Sequence, residues 1–196
     1  MLKRTIFVIL LLFSCYSVFS QKDEISLISW NIKDFGKTKN SEELNKIAEI
    51  VMDVDILAIQ EVVAGFGEAQ AVAKLTDILN RKGSKWDYVI SEPTNSPKYV
   101  TERYAFIWKT RYIKIKDREL LISQLDSLID REPFLLNFFL DERTLAVVNY
   151  HSRPYNKDPE SEIEALSKFV IDSIKTPVII AGDFNVDEKL RSVLLL

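Results

Sequence analysis

The chain has 196 residues, enough for one domain with a substantial hydrophobic core and too few for two ordinary domains. Hydrophobic residues make up 47% and charged residues 28%, with 5 glycines and 6 prolines, which excludes disordered, collagen-like and low-complexity chains. The formal net charge of -3 argues against a protein that binds nucleic acid through charge alone. It does not argue against an enzyme in which a bound metal ion supplies the positive charge.

The first 20 residues have the pattern of a secretory signal peptide. Their apolar run is shorter than the roughly 20 residues of a membrane-spanning helix. Val18 and Ser20 suit cleavage before Gln21. We therefore predict a signal peptide over residues 1–20, one domain over 21–196, and an exported protein that is secreted or periplasmic and makes no membrane contact.

An alternative interpretation of the N-terminus is a lipoprotein site at Cys15, although Phe13 fits that pattern poorly. Cys15 is the only cysteine, so cleavage after Ser20 leaves a cysteine-free chain. An exported domain without disulfides relies on its hydrophobic core, which a chain of this length can build.

Strand and helix signals alternate along the mature sequence, without a repeat or a linker. A strand over residues 25–30 stops at Asn31, and after a polar loop Ser41 is the predicted cap of a helix. A nearly all-apolar strand over 55–59, typical of a strand buried on both faces, then stops at Gln60.

Further along, apolar spacing from Val72 to Leu79 predicts a helix ended by Gly83. The remaining predicted helices cover residues 121–129 and the spacing from Ile163 to Val170. The remaining predicted strands are residues 86–90, 104–108, 134–140, 145–150 and 178–181. Because hairpins and crossovers both occur, we predict an α/β layered sandwich with mixed sheets.

Four predicted strands stop at residues able to bind a metal, transfer a proton or hold a phosphate. These stops are Asn31, Gln60-Glu61, His151 and Gly182-Asp183-Phe184-Asn185. Each one alone is typical of a strand end or a turn. Because layered α/β folds hold ligands where strands end, the four strand ends together predict a ligand-binding or catalytic site.

The predicted ligands carry oxygen donors, without a cysteine or a histidine cluster, which favours a hard cation over zinc. Glu61, Asp183 and Asn31 are the predicted ligands of Mg²⁺, with Ca²⁺ or Mn²⁺ as alternatives. His151 is then available for proton transfer. This division of roles suits phosphodiester hydrolysis, in which a metal neutralises charge and an acid protonates the leaving oxygen.

Six stretches resemble, in family order, the endonuclease/exonuclease/phosphatase superfamily and its deoxyribonuclease I-like branch. They are Ser29-Trp30-Asn31-Ile32, Ile59-Gln60-Glu61-Val62, Thr101-Glu102-Arg103-Tyr104, Arg131-Glu132-Pro133, Asn149-Tyr150-His151-Ser152-Arg153-Pro154 and Gly182-Asp183-Phe184-Asn185. The resemblance implies a β-sandwich of two mixed sheets flanked by helices. It further implies a secreted, divalent-metal-dependent phosphodiesterase, and most specifically an endonuclease whose substrate is DNA.

The resemblance also implies roles for metal-binding and phosphate-binding residues. Glu61 would bind the divalent metal, and Asn31 would help to place metal and phosphate. Arg131 would contact the scissile phosphate. Asp183 and Asn185 would complete the metal and transition-state site.

The resemblance also implies a carboxylate-imidazole pair for proton transfer, in which Glu102 would orient His151 as the general acid.

The sequence departs from the family pattern in two places. Val63 stands where the vertebrate-type deoxyribonuclease carries a minor-groove arginine, which weakens the expected preference for duplex DNA. The family continues to an Asp and a terminal Ser-Asp-His, whereas this sequence ends at Leu196, so we expect a C-terminally truncated member that lacks the general base and has weak or no activity.

Two other functions stay open from the sequence. One is a phosphomonoesterase or lipid phosphodiesterase on the same fold. The other is a non-catalytic exported binding protein that keeps the scaffold.

Overall fold

The computed structural model describes residues 24–186, apart from residues 98, 116, 118, 119 and 141. The predicted signal peptide and the alternative lipoprotein site at Cys15 lie outside the described residues, as does the chain after Val186. Within the described part, no helix combines the length and the apolar character needed to cross a bilayer.

Nine strands and three α-helices make up the regular structure of the described residues. The strands are β1 (Leu27–Phe35), β2 (Ile56–Val63), β3 (Trp86–Ile90), β4 (Glu102–Lys109), β5 (Ile113–Ile115), β6 (Leu120–Leu121), β7 (Phe134–Leu140), β8 (Arg143–His151) and β9 (Val178–Asp183). The helices are α1 (Ser41–Val51), α2 (Gln70–Arg81) and α3 (Pro159–Ser173).

The strands form two mixed sheets. The first has the order β1-β2-β4-β3, with β1 and β2 parallel and the other pairs antiparallel. The second has the order β5-β7-β8-β9, with β6 also paired to β7, and its parallel pair is β8 with β9. The predicted fold class, two mixed sheets flanked by helices, is confirmed.

The sheets pack face to face through an aromatic core. Phe106 of β4 stacks on Phe134 at 5.5 Å between ring centroids and meets Phe138 edge-on at 5.4 Å. Both partners lie on β7, in the opposite sheet. Offset and edge-on aromatic pairs add about 0.5–1.5 kcal/mol beyond the area they bury, so this core holds the sheets in a defined alignment.

The helices cover the outer faces of the sandwich. The apolar faces of α1 and α2 share one cluster with β1, β2 and β4, and α3 packs against β8. The cap of α1 is Asn40, whose side chain accepts from the backbone of Glu43 while the Glu43 carboxylate accepts from the Asn40 backbone. The prediction of Ser41 as the cap was therefore off by one residue, because this reciprocal capping box needs the asparagine.

The predicted ends of the first two strands were wrong. β1 runs on past Asn31 to Phe35, and β2 runs past Gln60 and Glu61 to Val63. The pairing register shifts in both strands, after Asn31 in β1 and between Ile59 and Val62 in β2. Glu61 has a φ of 59°, in the left-handed region that non-glycine residues rarely adopt. Such bulges bend a strand and re-aim a side chain, and here a bulge does so at a predicted metal ligand.

The predicted helix over residues 121–129 is also wrong. The segment contains the end of β6 and one 3₁₀ turn over Ser123–Leu125. Ile122, Leu125 and Ile129 are buried, so their helix-like spacing reflects contact with the core rather than a continuous helix.

Candidate active site

The topology gathers the predicted site at one edge of the sandwich. In the first sheet, the parallel strands β1 and β2 end where the antiparallel strand β4 begins, so Asn31, Glu61 and Glu102 lie close together. In the second sheet, His151 and Asp183 are direct partners in the parallel pair β8 and β9. The antiparallel strand β7 begins at the same edge, just after Arg131.

Glu102 and His151 form a buried pair across the two sheets. Nδ1 of His151 lies 3.1 Å from Oε1 and 3.0 Å from Oε2 of Glu102, and the two residues are 5% and 6% exposed. On the other side of the ring, Nε2 lies 3.9 Å from Oδ2 of Asp183, beyond hydrogen-bond distance. A carboxylate on Nδ1 fixes the ring orientation and leaves Nε2 as the position from which a proton can be transferred.

Arg131 is held rigidly beside this pair. Its Nε lies 3.0 Å from Oε2 of Glu102 and also donates to the carbonyl oxygen of Val100 at 3.2 Å. Its Nη1 donates to the carbonyl oxygen of Ser152 at 3.1 Å. Fixed in this way, the guanidinium adds positive charge next to a carboxylate that also binds the histidine.

Asn31 connects the predicted metal ligands. Its Nδ2 donates to Oε1 of Glu61 at 2.9 Å and to Oδ2 of Asp183 at 3.0 Å, so it joins one carboxylate from each sheet. The backbone N–H of Glu61 donates to Oε1 of Glu102 at 3.2 Å. This last bond connects the carboxylate and amide cluster to the Glu102–His151 pair.

Asn185 lies next to this cluster without joining it through its side chain. Its backbone N–H donates to Oδ1 of Asp183 at 3.2 Å, and its Nδ2 donates to the carbonyl oxygen of Ser152 at 3.2 Å. A surface cleft of about 580 Å³ opens beside Asp183 and Asn185, and Tyr155 lies on its wall.

The donor chemistry fits a divalent cation. Oδ1 of Asn31 is buried and has no hydrogen-bond partner among the described residues, and it belongs to the residue that joins Glu61 and Asp183. Mg²⁺ is commonly bound by one or two carboxylates and keeps several waters. In the described part of the chain no three His, Cys, Asp or Glu side chains are grouped to hold a metal. Glu61, Asp183 and Asn31 are the residues that would hold the ion, together with water.

The structure adds an inter-sheet bridge that the sequence analysis did not single out. Gln60 donates through Nε2 to Oδ1 of Asn149, and Nδ2 of Asn149 donates to the carbonyl oxygens of Ile59 at 3.0 Å and Ala105 at 3.2 Å. Gln60 and Asn149 are both fully buried. Because buried amides need partners, this bridge fixes one alignment of β8 against β2 and β4.

Glu162 is a further structurally important residue that the sequence did not reveal. It is fully buried on α3, and its carboxylate accepts from the Tyr150 hydroxyl at 3.0 Å and from the Arg153 backbone at 2.8 Å. It also accepts from the backbone N–H of Asp130 and lies 2.9 Å from Nε of Arg153. The bonds hold the residues that flank His151 and Arg131. The one available signal was a glutamate in the apolar stripe of α3, next to Ile163.

Burial shifts the pKa of two tyrosine hydroxyls near the site. Burial raises the pKa of the Tyr104 hydroxyl well above its usual range, and the negative charge of Glu102 adds to the effect. Burial likewise raises the pKa of Tyr150, reinforced by the charge of Glu162 and the bond to it. Both side chains therefore stay neutral at ordinary pH.

Comparison with known proteins identifies the family. The model of the "Endonuclease/Exonuclease/phosphatase family" matches residues 28–192. The chain belongs to this family. The resemblance seen in the six sequence stretches is therefore confirmed.

Within the endonuclease/exonuclease/phosphatase family, the chain is similar to mammalian deoxyribonuclease-1. It is 32% identical to the protein from Oryctolagus cuniculus over 177 residues, which cover 83% of this chain and 61% of that protein. It is 30% identical to the protein from Mus musculus over 175 residues, which cover 82% and 60%. The chain thus spans about three fifths of the length of these relatives.

Solved structures of the family share the fold. The D. rerio TDP2 complexed with a single-strand DNA product superposes with a TM-score of 0.59 at 15% identity, over 88% of this chain and 65% of that chain. A family protein from Leptotrichia buccalis C-1013-b superposes with a TM-score of 0.59 at 15% identity, over 84% and 67%. At this identity the likeness concerns the fold alone.

Proposed function

We propose that this protein is a divalent-metal-dependent phosphodiesterase, and specifically an exported endonuclease that hydrolyses DNA. The observation that carries the proposal is the Glu102–His151 pair, with Nε2 of His151 turned toward the cluster of Asn31, Glu61 and Asp183. An oriented acid beside a set of hard-cation ligands suits metal-assisted phosphodiester cleavage. The similarity to mammalian deoxyribonuclease-1 supports DNA as the substrate.

In the proposed reaction, the histidine protonates the departing oxygen. Glu102 holds the ring through Nδ1, so Nε2 delivers a proton to the leaving oxygen as a water molecule attacks phosphorus and the bond to that oxygen breaks. Positioned acids of this kind contribute about 10²–10⁴-fold to rate. When bound, a divalent cation neutralises charge on the phosphate and polarises its oxygens.

Arg131 is proposed to bind the scissile phosphate. Its three protein contacts leave little conformational freedom to be lost when substrate binds, which favours a preorganised anion contact. Arg131 lies beside the second sheet, whereas two of the three proposed metal ligands, Asn31 and Glu61, lie on the first. A phosphate bound between them would therefore be contacted from two sides.

The experiment is plasmid nicking by the purified full chain. We expect weak nicking of supercoiled DNA with Mg²⁺, in keeping with the weak activity expected from the sequence, and intact DNA after EDTA treatment. His151→Ala should lower the rate by about 10²-fold or more, whereas the exposed surface variant Glu164→Gln should cut at the unchanged rate. Equal nicking by the wild type and His151→Ala would refute the proposed mechanism.

Other phosphoesters test the substrate class in the same preparation. Hydrolysis of inositol phosphates or sphingomyelin without cleavage of DNA would move the assignment to a phosphomonoesterase or lipid phosphodiesterase. Metal binding without turnover of any phosphoester would support a binding protein.

Export is tested separately. Expression of the full sequence should yield a mature protein whose N-terminal residue is Gln21, in the periplasm or the medium. A cell-retained protein that still begins at Met1 would contradict the signal peptide, and lipid attached at Cys15 would favour the lipoprotein alternative.

A further inference from the structure

Phe66 is the most exposed large apolar side chain among the described residues, at 101% relative exposure. It lies in the loop between β2 and α2, flanked by Gly65 and Gly67. Gly67 has a φ of 70°, a conformation that glycine adopts without strain. The loop therefore presents one aromatic ring to solvent, with small residues on both sides.

The loop is fixed to its neighbour rather than loose. Glu68 accepts from the backbone N–H of Lys37 at 2.7 Å and lies 3.2 Å from its Nζ. The backbone hydrogen bond from Lys37, with the help of its charge, lowers the pKa of Glu68. The backbone N–H of Glu68 also donates to the carbonyl oxygen of Gly65 at 3.1 Å. A ring held on such a loop loses little entropy when it is covered by a ligand.

The two joined loops extend from the site itself. The loop of Phe66 follows β2, which carries Glu61, and the segment of Lys37 follows Asn31 on β1. Lys33 lies exposed on this same stretch, and Lys39 lies a few residues further on. Aromatic and basic side chains together beside a phosphodiester site match the chemistry of a nucleic-acid strand, which offers bases for stacking and phosphates for cations.

The surroundings of Phe66 argue for a small, flat occupant. Its sequence neighbours Ala64, Gly65, Gly67 and Ala69 carry a methyl group at most, so this segment presents one large apolar side chain. A nucleobase needs only one aromatic face, and stacking on it is worth about 1–3 kcal/mol per base.

We propose that Phe66 is a base-stacking residue that binds one nucleobase of the substrate strand beside the scissile phosphate. This inference rests on the proposed nuclease function. It makes Phe66 a determinant of substrate binding, since the ring lies outside the cluster that transfers the proton. Lys33 supplies positive charge for the backbone of the same strand.

The test measures binding by fluorescence anisotropy in a His151→Ala background, so that the probe is not cleaved. One probe is labelled oligothymidylate of about 12 nucleotides, and the other is a strand of equal length made of abasic deoxyribose phosphates. Adding Phe66→Ala should weaken oligothymidylate binding about tenfold and leave abasic binding unchanged. Phe66→Trp should retain or strengthen oligothymidylate binding.

Ile171→Ala is the matched control, because this side chain is 73% exposed on α3 and has no role in the site. The inference is overturned if Phe66→Ala binds oligothymidylate as tightly as Ile171→Ala does, or loses both probes equally. If the wild type cuts plasmid DNA and only the Phe66 effect is missing, this inference fails alone. If neither probe binds and plasmid stays intact, the nuclease function fails with it.

Discussion

Glu102 binds His151 and Arg131 at the same time. One of its oxygens, Oε2, lies 3.0 Å from Nδ1 of His151 and 3.0 Å from Nε of Arg131. A single buried carboxylate therefore orients both the proposed acid and the proposed phosphate ligand. Its negative charge is shared by His151 of the opposite sheet and by Arg131, which precedes a strand of that sheet.

Glu102→Gln should lower kcat by about 10²-fold or more, because the amide neither matches both partners nor balances the arginine charge. The measurement is the rate of plasmid nicking across a pH series, with thermal unfolding as a check on folding. Glu92→Gln is the control, since the side chain of Glu92 is 88% exposed where it faces Arg103. A Glu102→Gln protein with the wild-type rate and pH profile would remove Glu102 from the mechanism.

Glu162→Gln should lower both stability and activity. The change removes the charge that faces Arg153 and weakens the bonds that hold Tyr150 and Asp130. We expect a loss of about 2 kcal/mol or more, and hence a drop in Tm of about 5 °C or more, measured by calorimetry. Glu164→Gln, an exposed position two residues along α3, should leave Tm unchanged. Equal Tm values for the two variants would contradict a stabilising role of the buried Glu162 carboxylate.

Gly182→Ala should prevent β9 from pairing normally with β8. A Cβ at this position would overlap the carbonyl oxygen of Tyr150, so the backbone has to move. Asp183 is the next residue and would be displaced from His151. We expect poor folding or a folded protein with little of the proposed nicking activity, assessed by circular dichroism and plasmid nicking.

Gly83→Ala provides the comparison for Gly182. Its φ of 104° is strained for alanine, but the added methyl group meets nothing within 4 Å. Its cost should be about 1 kcal/mol with full activity. If Gly182→Ala proves no worse than Gly83→Ala, the close approach of β9 to β8 is wrong.

Alkaline pH should destabilise the protein through Tyr104 and Tyr150. Burial raises the pKa of both hydroxyls in the folded state, so only the unfolded chain ionises them as pH rises above their usual value of 10.0. The unfolded state then releases protons that the native state retains, and stability falls as pH increases above this value. Ultraviolet titration should show that these two tyrosines ionise only when the protein unfolds. In Tyr104→Phe, one of these two ionisations should be missing. Ionisation of every tyrosine of the folded protein near the usual pKa of 10.0 would show that Tyr104 and Tyr150 are not buried.

The sequence predicts those parts of the fold that depend on local pattern. Apolar runs placed β2 and β7 within a few residues, and the ends of β8 and β9 predicted that His151 and Asp183 belong to the site. The left-handed bulge at Glu61 was not predictable, because glutamate has no local preference for a positive φ.

Long-range polar contacts also escape a local pattern. Gln60 and Asn149 are 89 positions apart, and each becomes intelligible only when the two sheets are packed together. Glu162 looks like one more charged residue of an amphipathic helix until Tyr150, Asp130 and Arg153 are placed around it. Such contacts are a property of the tertiary fold rather than of any single segment.

The candidate site is divided between the two sheets, so its geometry depends on their alignment. Asn31, Glu61 and Glu102 come from one sheet, and Arg131, His151 and Asp183 come with the other. Each sheet alone carries half of the candidate site, so a slide of one sheet over the other by a single residue would separate Glu102 from His151 and Arg131, and Asn31 from Asp183, without breaking a strand. Mutations in the aromatic layer between Phe106 and Phe134 should therefore abolish turnover while the far-ultraviolet spectrum stays native.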